Sequence, residues 1–161
     1  MIEYRSSIAE KQRALRWQQA ETAREIIEAL RGNLHASAAL KMLDWTGITY
    51  RKPDGTATAQ ITTAQRRFML RIEGAIFDPE AERDAEFVRD CFDRLFEDCC
   101  LIEAYIASGL VKAEDLTAYF CHYMKLAAAP DEAVVLDRFA RAYGYKAFFG
   151  FRDRMRRAGQ A

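Results

Sequence analysis

Between Val88 and Ile106 the large apolar residues recur every three or four positions. On a helical wheel Val88, Cys91, Leu95, Cys99, Ile102 and Ile106 fall within about 80° of one another, and Phe87 and Phe92 flank them. Glu86, Asp90, Asp93 and Glu97 cluster on the opposite side. This spacing predicts one long amphipathic helix with an apolar inner face and an acidic outer one. Pro79 stands at its start, where a missing N–H costs nothing. Gly109 followed by Leu110 has the form of a left-handed C-cap. A helix from Pro79 to Ser108 would be about 45 Å long.

The same periodicity runs through most of the chain. Ser6 and Ser7 are candidate caps for a first helix reaching Leu30, with Gly32 and Asn33 as its stop. Its apolar positions include Ile8, Leu15, Trp17, Ala23, Ile27 and Leu30. Gln12 and Gln19 stand where a coiled-coil seam would want leucine, so the pattern is weak. A short helix with Leu40, Leu43 and Trp45 follows and ends at Gly47. From Ile48 to Ile61 the texture alternates around the turn sequence Lys52-Pro53-Asp54-Gly55, which predicts a small β-hairpin or an ordered loop. Thr63 begins a helix with Phe68, Ile72, Ala75 and Ile76 on its inner face. Three further helices are read from residues 112–129, 131–144 and 145–158. The expectation is all-α: one domain over residues 1–161, a compact bundle of five to seven helices around the long one. The helix over residues 1–31 is left to protrude or to serve in oligomerisation.

Length and composition suit this reading. A chain of 161 residues buries roughly 70% of its unfolded surface and needs no disulfide or metal to hold a core. Only three prolines interrupt it, which leaves room for long helices. The formal charge is zero but unevenly spread: residues 78–103 hold ten acidic and three basic side chains, and mildly basic segments lie on both sides. That arrangement points to charge pairing within the fold or between subunits rather than to a field that draws in nucleic acid. Residues 1–32 are charged throughout, with no apolar run of a signal peptide, and no stretch approaches the roughly 18 apolar residues of a membrane span.

Chemistry-bearing motifs are sparse. The cysteines are Cys91, Cys99, Cys100 and Cys121, with no C-x-x-C spacing. Cys99 and Cys100 diverge by about 100° on a helix, so they do not jointly chelate a metal. A Cys99–Cys121 bridge is conceivable if their helices pack together. Free, buried thiols in a reducing cytoplasm are the simpler expectation. Neither His35 nor His122 completes the Glu-x-x-His pair of a carboxylate di-iron bundle. Serine-nucleophile and phosphate-cradling motifs are missing. No cofactor, metal site or catalytic residue is therefore expected. The C-terminal stretch interleaves Phe148, Phe149 and Phe151 with Arg152, Arg154, Arg156 and Arg157. Aromatics with arginines can stack on bases and contact phosphates, but the spacing of Phe148, Phe151 and Met155 suits a core stripe.

Several segments together, "ALKMLDWTG", "RDCFDRLFEDCCLIEAYIASGLVKAEDL", "YFCHYMKLA" and "RFARAYGYKAFFGFRDRM", resemble the pattern of a group of small bacterial all-helical proteins to which no activity is assigned. The resemblance covers most of the chain from Ala39 onward. Some similar helical families carry a membrane anchor ahead of their first helix. This chain starts directly with the helix, so the resemblance implies a soluble version. It also directs attention to Arg89 and Asp93, four apart, which could pair along the helix. A reach by Arg89 to a buried carboxylate or carbonyl between helices is the alternative.

The functional expectation is a cytoplasmic, non-catalytic protein–protein interaction module that associates with itself as a homodimer. Glu86, Asp90, Asp93 and Glu97 on the acidic face, and Arg152 and Arg156 near the C-terminus, are the candidate contact residues. Two alternatives stay open. One is a nucleic-acid-associated protein using the Arg- and aromatic-rich C-terminus. The other is a small-molecule sensor with an apolar pocket.

Overall fold

The computed structural model describes residues 2–71 and 78–159, with side chains from Ser7 onward. Among these residues seven helices follow one another: α1 (Ile2–Gly32), α2 (Leu34–Asp44), α3 (Thr63–Met69), α4 (Pro79–Ala107), α5 (Ala113–Ala127), α6 (Pro130–Ala142) and α7 (Lys146–Ala158). The all-α expectation holds. α4 lies between α2 and α7, α5 packs on α7, and α1 rests on α2 and α5.

Local chemistry sets most helix ends. Asn33 closes α1 and opens α2: its side chain accepts the Ala36 N–H at 2.9 Å. Thr62 and Gln65 form a reciprocal capping box at α3. Asp78 caps α4 one residue before Pro79, and Glu80 and Glu82 favour that positive end. At the other end Gly109 takes φ +77°. Leu110 N–H then reaches the Tyr105 carbonyl at 3.0 Å, and Gly109 N–H the Ile106 carbonyl at 3.1 Å. This is a Schellman closure. The start of α1 is different: it begins at Ile2, so Ser6 and Ser7 lie inside the helix and do not cap it. Nothing in residues 2–31 breaks a helix, because that stretch holds neither glycine nor proline.

The core follows the wheel of α4. Val88, Cys91, Leu95, Cys99 and Ile102 are buried with Phe87, Phe92 and Phe96. Phe139 from α6 and Phe148 from α7 meet Phe96 with ring centroids 6.0 and 4.2 Å away. Phe151 of α7 stands edge-on to Phe120 of α5. Phe148, Phe151 and Met155 are fully buried, as their spacing predicts.

Residues 45–62 form the ordered loop, not a hairpin of strands. Two isolated antiparallel bridges, Ile48 with Ile61 and Arg51 with Ala57, are its only sheet-like pairing among the described residues. Side chains take over donors that a ladder would have used. The Thr58 hydroxyl accepts the Tyr50 N–H at 3.0 Å. Asp84 of α4 accepts the Ala59 N–H at 2.8 Å and the Lys52 ammonium at 2.9 Å. The loop is thereby tied to the first turns of α4, and Tyr50 and Ile61 are buried beneath it.

α3 departs from the sequence reading. It is seven residues long, and Phe68, expected inside, is 48% exposed. Ile72, Ala75 and Ile76 lie outside the described residues. Met69 and Leu70 face the core, and Arg66, one turn earlier on the same side, goes in with them at 1% exposed. Burying a guanidinium is costly unless it is paired. Arg66 is paired: it donates to the Met42 carbonyl and meets Glu132 of α6 at 2.5 Å.

Candidate interaction surface

Among the described residues α1 meets the rest of the protein from its middle onward. Arg16 forms a two-pronged ion pair with Asp115 of α5, one prong at 2.6 Å, and holds that carboxyl below the usual range. The Gln19 amide donates to the Gly109 carbonyl at 2.9 Å, on the Schellman turn of α4. Beyond these two anchors Ala23 and Leu30 are buried. Ahead of them, from Ser7 to Leu15, every residue is exposed except half-buried Ala9. Ile8, Leu15 and Trp17 stand in the open at 42%, 54% and 71% exposure.

A groove of about 500 Å³ runs between the second half of α1 and the second half of α4. Ile26 and Ala29 form one wall and Leu101 and Tyr105 the other, and Leu110 also lines it. Leu101 and Leu110 are each about half exposed. Glu25, Arg94 and Asp98 supply its polar edge. Arg94 meets Asp98 at 2.9 Å. Burial nonetheless pushes the Asp98 carboxyl up, against the pull of Arg94. The groove exists because α1 leans chiefly on α2 and α5.

The residues singled out from sequence scatter over the surface. Glu86, Asp90 and Glu97 are exposed on the acidic face of α4. Asp93 on the same face is half-buried and accepts the Tyr145 hydroxyl. Arg156 is exposed. Arg152 is not available as a contact residue. It is 8% exposed, paired with Asp137 at 2.5 Å, and its guanidinium lies over the Phe148 ring at 5.3 Å. The core stripe of α7 carries it inward beside Phe148 and Phe151. Arg154 is held by Glu103 at 2.7 Å, so two of the C-terminal cations are used inside the fold. Arg89 makes the interhelical reach: its Nε donates to the Met69 carbonyl at 2.8 Å.

The thiols are free and no Cys99–Cys121 bridge forms. Cys91 and Cys99 are wholly buried, and burial pushes both thiols up. Cys100 and Cys121 are partly exposed. A thiol reagent is therefore expected to titrate at most two cysteines in the native protein, with Cys91 and Cys99 reacting only on unfolding. Prompt native reaction at three or four sites would contradict the buried placement. His122 contacts Asp44 at 2.8 Å on the surface, and His35 packs against Phe87. Among the described residues no group of three or more potential ligands is placed to hold a metal, and no helix is long and apolar enough to cross a membrane.

Together the fold and this surface define an all-α bundle with one half-supported helix beside an apolar groove. No family model matches the chain, and no curated protein or solved structure matches it either.

Proposed function

We propose that the protein is a non-catalytic interaction module of the cytoplasm that associates with itself through α1. One observation carries this reading: the first half of α1 is helical yet packs on nothing described in its own chain, while presenting Ile8 and Leu15 to solvent. An isolated helix of this length is marginal in water, and packing of an apolar face is what normally stabilises it. A second copy offers that packing without any further component. The scattered histidines and the core-buried thiols support a non-catalytic role, and free cysteines suit a reducing compartment. The nucleic-acid alternative is weakened by the engagement of Arg152 and Arg154 within the bundle.

Light scattering on a sizing column, at two loadings of the full chain, tests the proposal. A dimer is expected, and the Ile8→Asp/Leu15→Asp variant is expected to be monomeric, with helical circular dichroism lowered by no more than the unpacked first half of α1 and an unchanged urea midpoint for the bundle, because both side chains are exposed in the single chain. A monomer for the parent at every loading would overturn the reading.

A further inference from the structure

We infer that the α1–α4 groove is the receptor for the first half of α1 from a second copy, laid antiparallel, so that two identical insertions make one twofold dimer. This rests on the self-association proposed above and supplies its geometry.

One face of α1 carries apolar side chains in both halves of the helix, with Lys11 at its margin. At 100° per residue Ile8, Leu15, Thr22, Ile26 and Ala29 fall within about 60° of one another. The last three line the groove. The first two lie on the unsupported half, on the same side. Each copy thus carries both a stripe without a groove and a groove without an occupant. An antiparallel pairing satisfies both at once, and a twofold interface of this kind closes at two copies.

Charge selects the direction. Residues 7–18 of α1 are net basic, through Lys11, Arg13 and Arg16 against Glu10. Residues 19–32 are net acidic, through Glu21, Glu25 and Glu28 against Arg24 and Arg31. A parallel pair would set like against like. An antiparallel pair with Leu15 opposite Thr22 sets Lys11 opposite Ile26, next to Glu25 of the other copy. Neither Lys11 nor Glu25 makes an ion pair among the described residues, whereas Glu21 and Glu28 are both taken by Arg24. Desolvated Asp98 adds a second carboxylate at the same edge. Trp17 lies about 150° from the middle of the stripe and stays outside the contact.

Two full-length variants, Leu15→Cys and Thr22→Cys, are mixed, oxidised and mapped by mass spectrometry, with the parent treated alongside. A predominant 15–22 linkage is expected; these positions share one helix face two turns apart, so the link forms only between copies. Leu101→Glu, half exposed in the single chain, is expected to raise the dimer dissociation constant about tenfold or more. A predominant 15–15 linkage would overturn the antiparallel arrangement while leaving self-association standing. A dimer indifferent to Leu101→Glu would overturn the groove as receptor. Absence of association in the parent would remove both the inference and the reading beneath it, and leave the groove to a different occupant.

Discussion

Replacing Glu132 by alanine is expected to destabilise the protein by about 3–5 kcal/mol, the range for stranding a buried charge. Arg66 is 1% exposed, and Glu132 is its only carboxylate partner among the described residues. Without Glu132 the guanidinium keeps the Met42 carbonyl and little else. Burial already holds Arg66 below its ordinary proton affinity, against the opposing charge of Glu132. The same carboxylate oxygen also takes Arg67 at 2.7 Å, so the deletion leaves Arg67 with only its longer 3.8 Å pair to Asp131 among the described residues. The cluster is imperfectly satisfied: Arg66 Nε, Glu132 Oε2 and the Tyr50 hydroxyl are buried without a protein partner among the described residues. For that reason the double variant Arg66→Met/Glu132→Leu is expected to recover most of the loss, since an apolar pair often replaces a buried ion pair at little cost. Urea unfolding of Glu132→Ala and of the double variant measures this directly. A loss under about 1 kcal/mol for Glu132→Ala would mean that Arg66 reaches solvent.

Phe96→Ala is expected to cost a similar amount, about 3–5 kcal/mol, for a different reason. Phe96 is 1% exposed and is the hub of the aromatic core. Its ring centroid lies 6.1 Å from Phe92, 6.0 Å from Phe139, 5.8 Å from Tyr145 and 4.2 Å from Phe148. Truncation removes the group that joins α4 to α6, α7 and the turn between them, and leaves a cavity that rigid aromatic neighbours fill poorly. Phe96→Leu should lose less, because most of the volume stays. Trp17→Ala serves as the contrast: at 71% exposure its removal should change stability by no more than about 0.5 kcal/mol. Equal losses for Phe96→Ala and Trp17→Ala in denaturant melts would refute the core assignment.

The acidic face of α4 has a narrower role than its charge suggests. Asp93 is occupied by Tyr145, and Asp98 by Arg94. Glu86 and Asp90 remain as solvated residues available to a basic partner, and exposed Glu97 lies 3.9 Å from Arg94. The contact surface proposed for the dimer lies instead on the face of α1 that carries Ile8 and Leu15, where sequence reading found only a weak pattern.

What sequence alone determined was local. The 3.6-residue period of α4, the proline and capping aspartate at its start, and the glycine that closes it all act within a few residues, so they can be read one segment at a time. The burial of Cys91, Cys99, Phe148 and Phe151 follows from the same period. Tertiary structure decided what depends on the element opposite. Arg66 and Arg152 are charged, and charge alone places them outside; they are inside because Glu132 and Asp137 arrive from α6, 66 residues beyond the one and 15 residues before the other. The loop over residues 45–62 needed no strands because Asp84 accepts its donors. The groove is a gap between two helices that each have other partners, and its shape exists only once α1 has settled on α2 and α5. Ile8, Leu15, Thr22 and Ala29 stand seven residues apart, but Gln12 and Gln19 interrupt the seam and left only a weak pattern to read. That half of this stripe would face the groove and half would face solvent depended on where Arg16 and Gln19 anchor the helix.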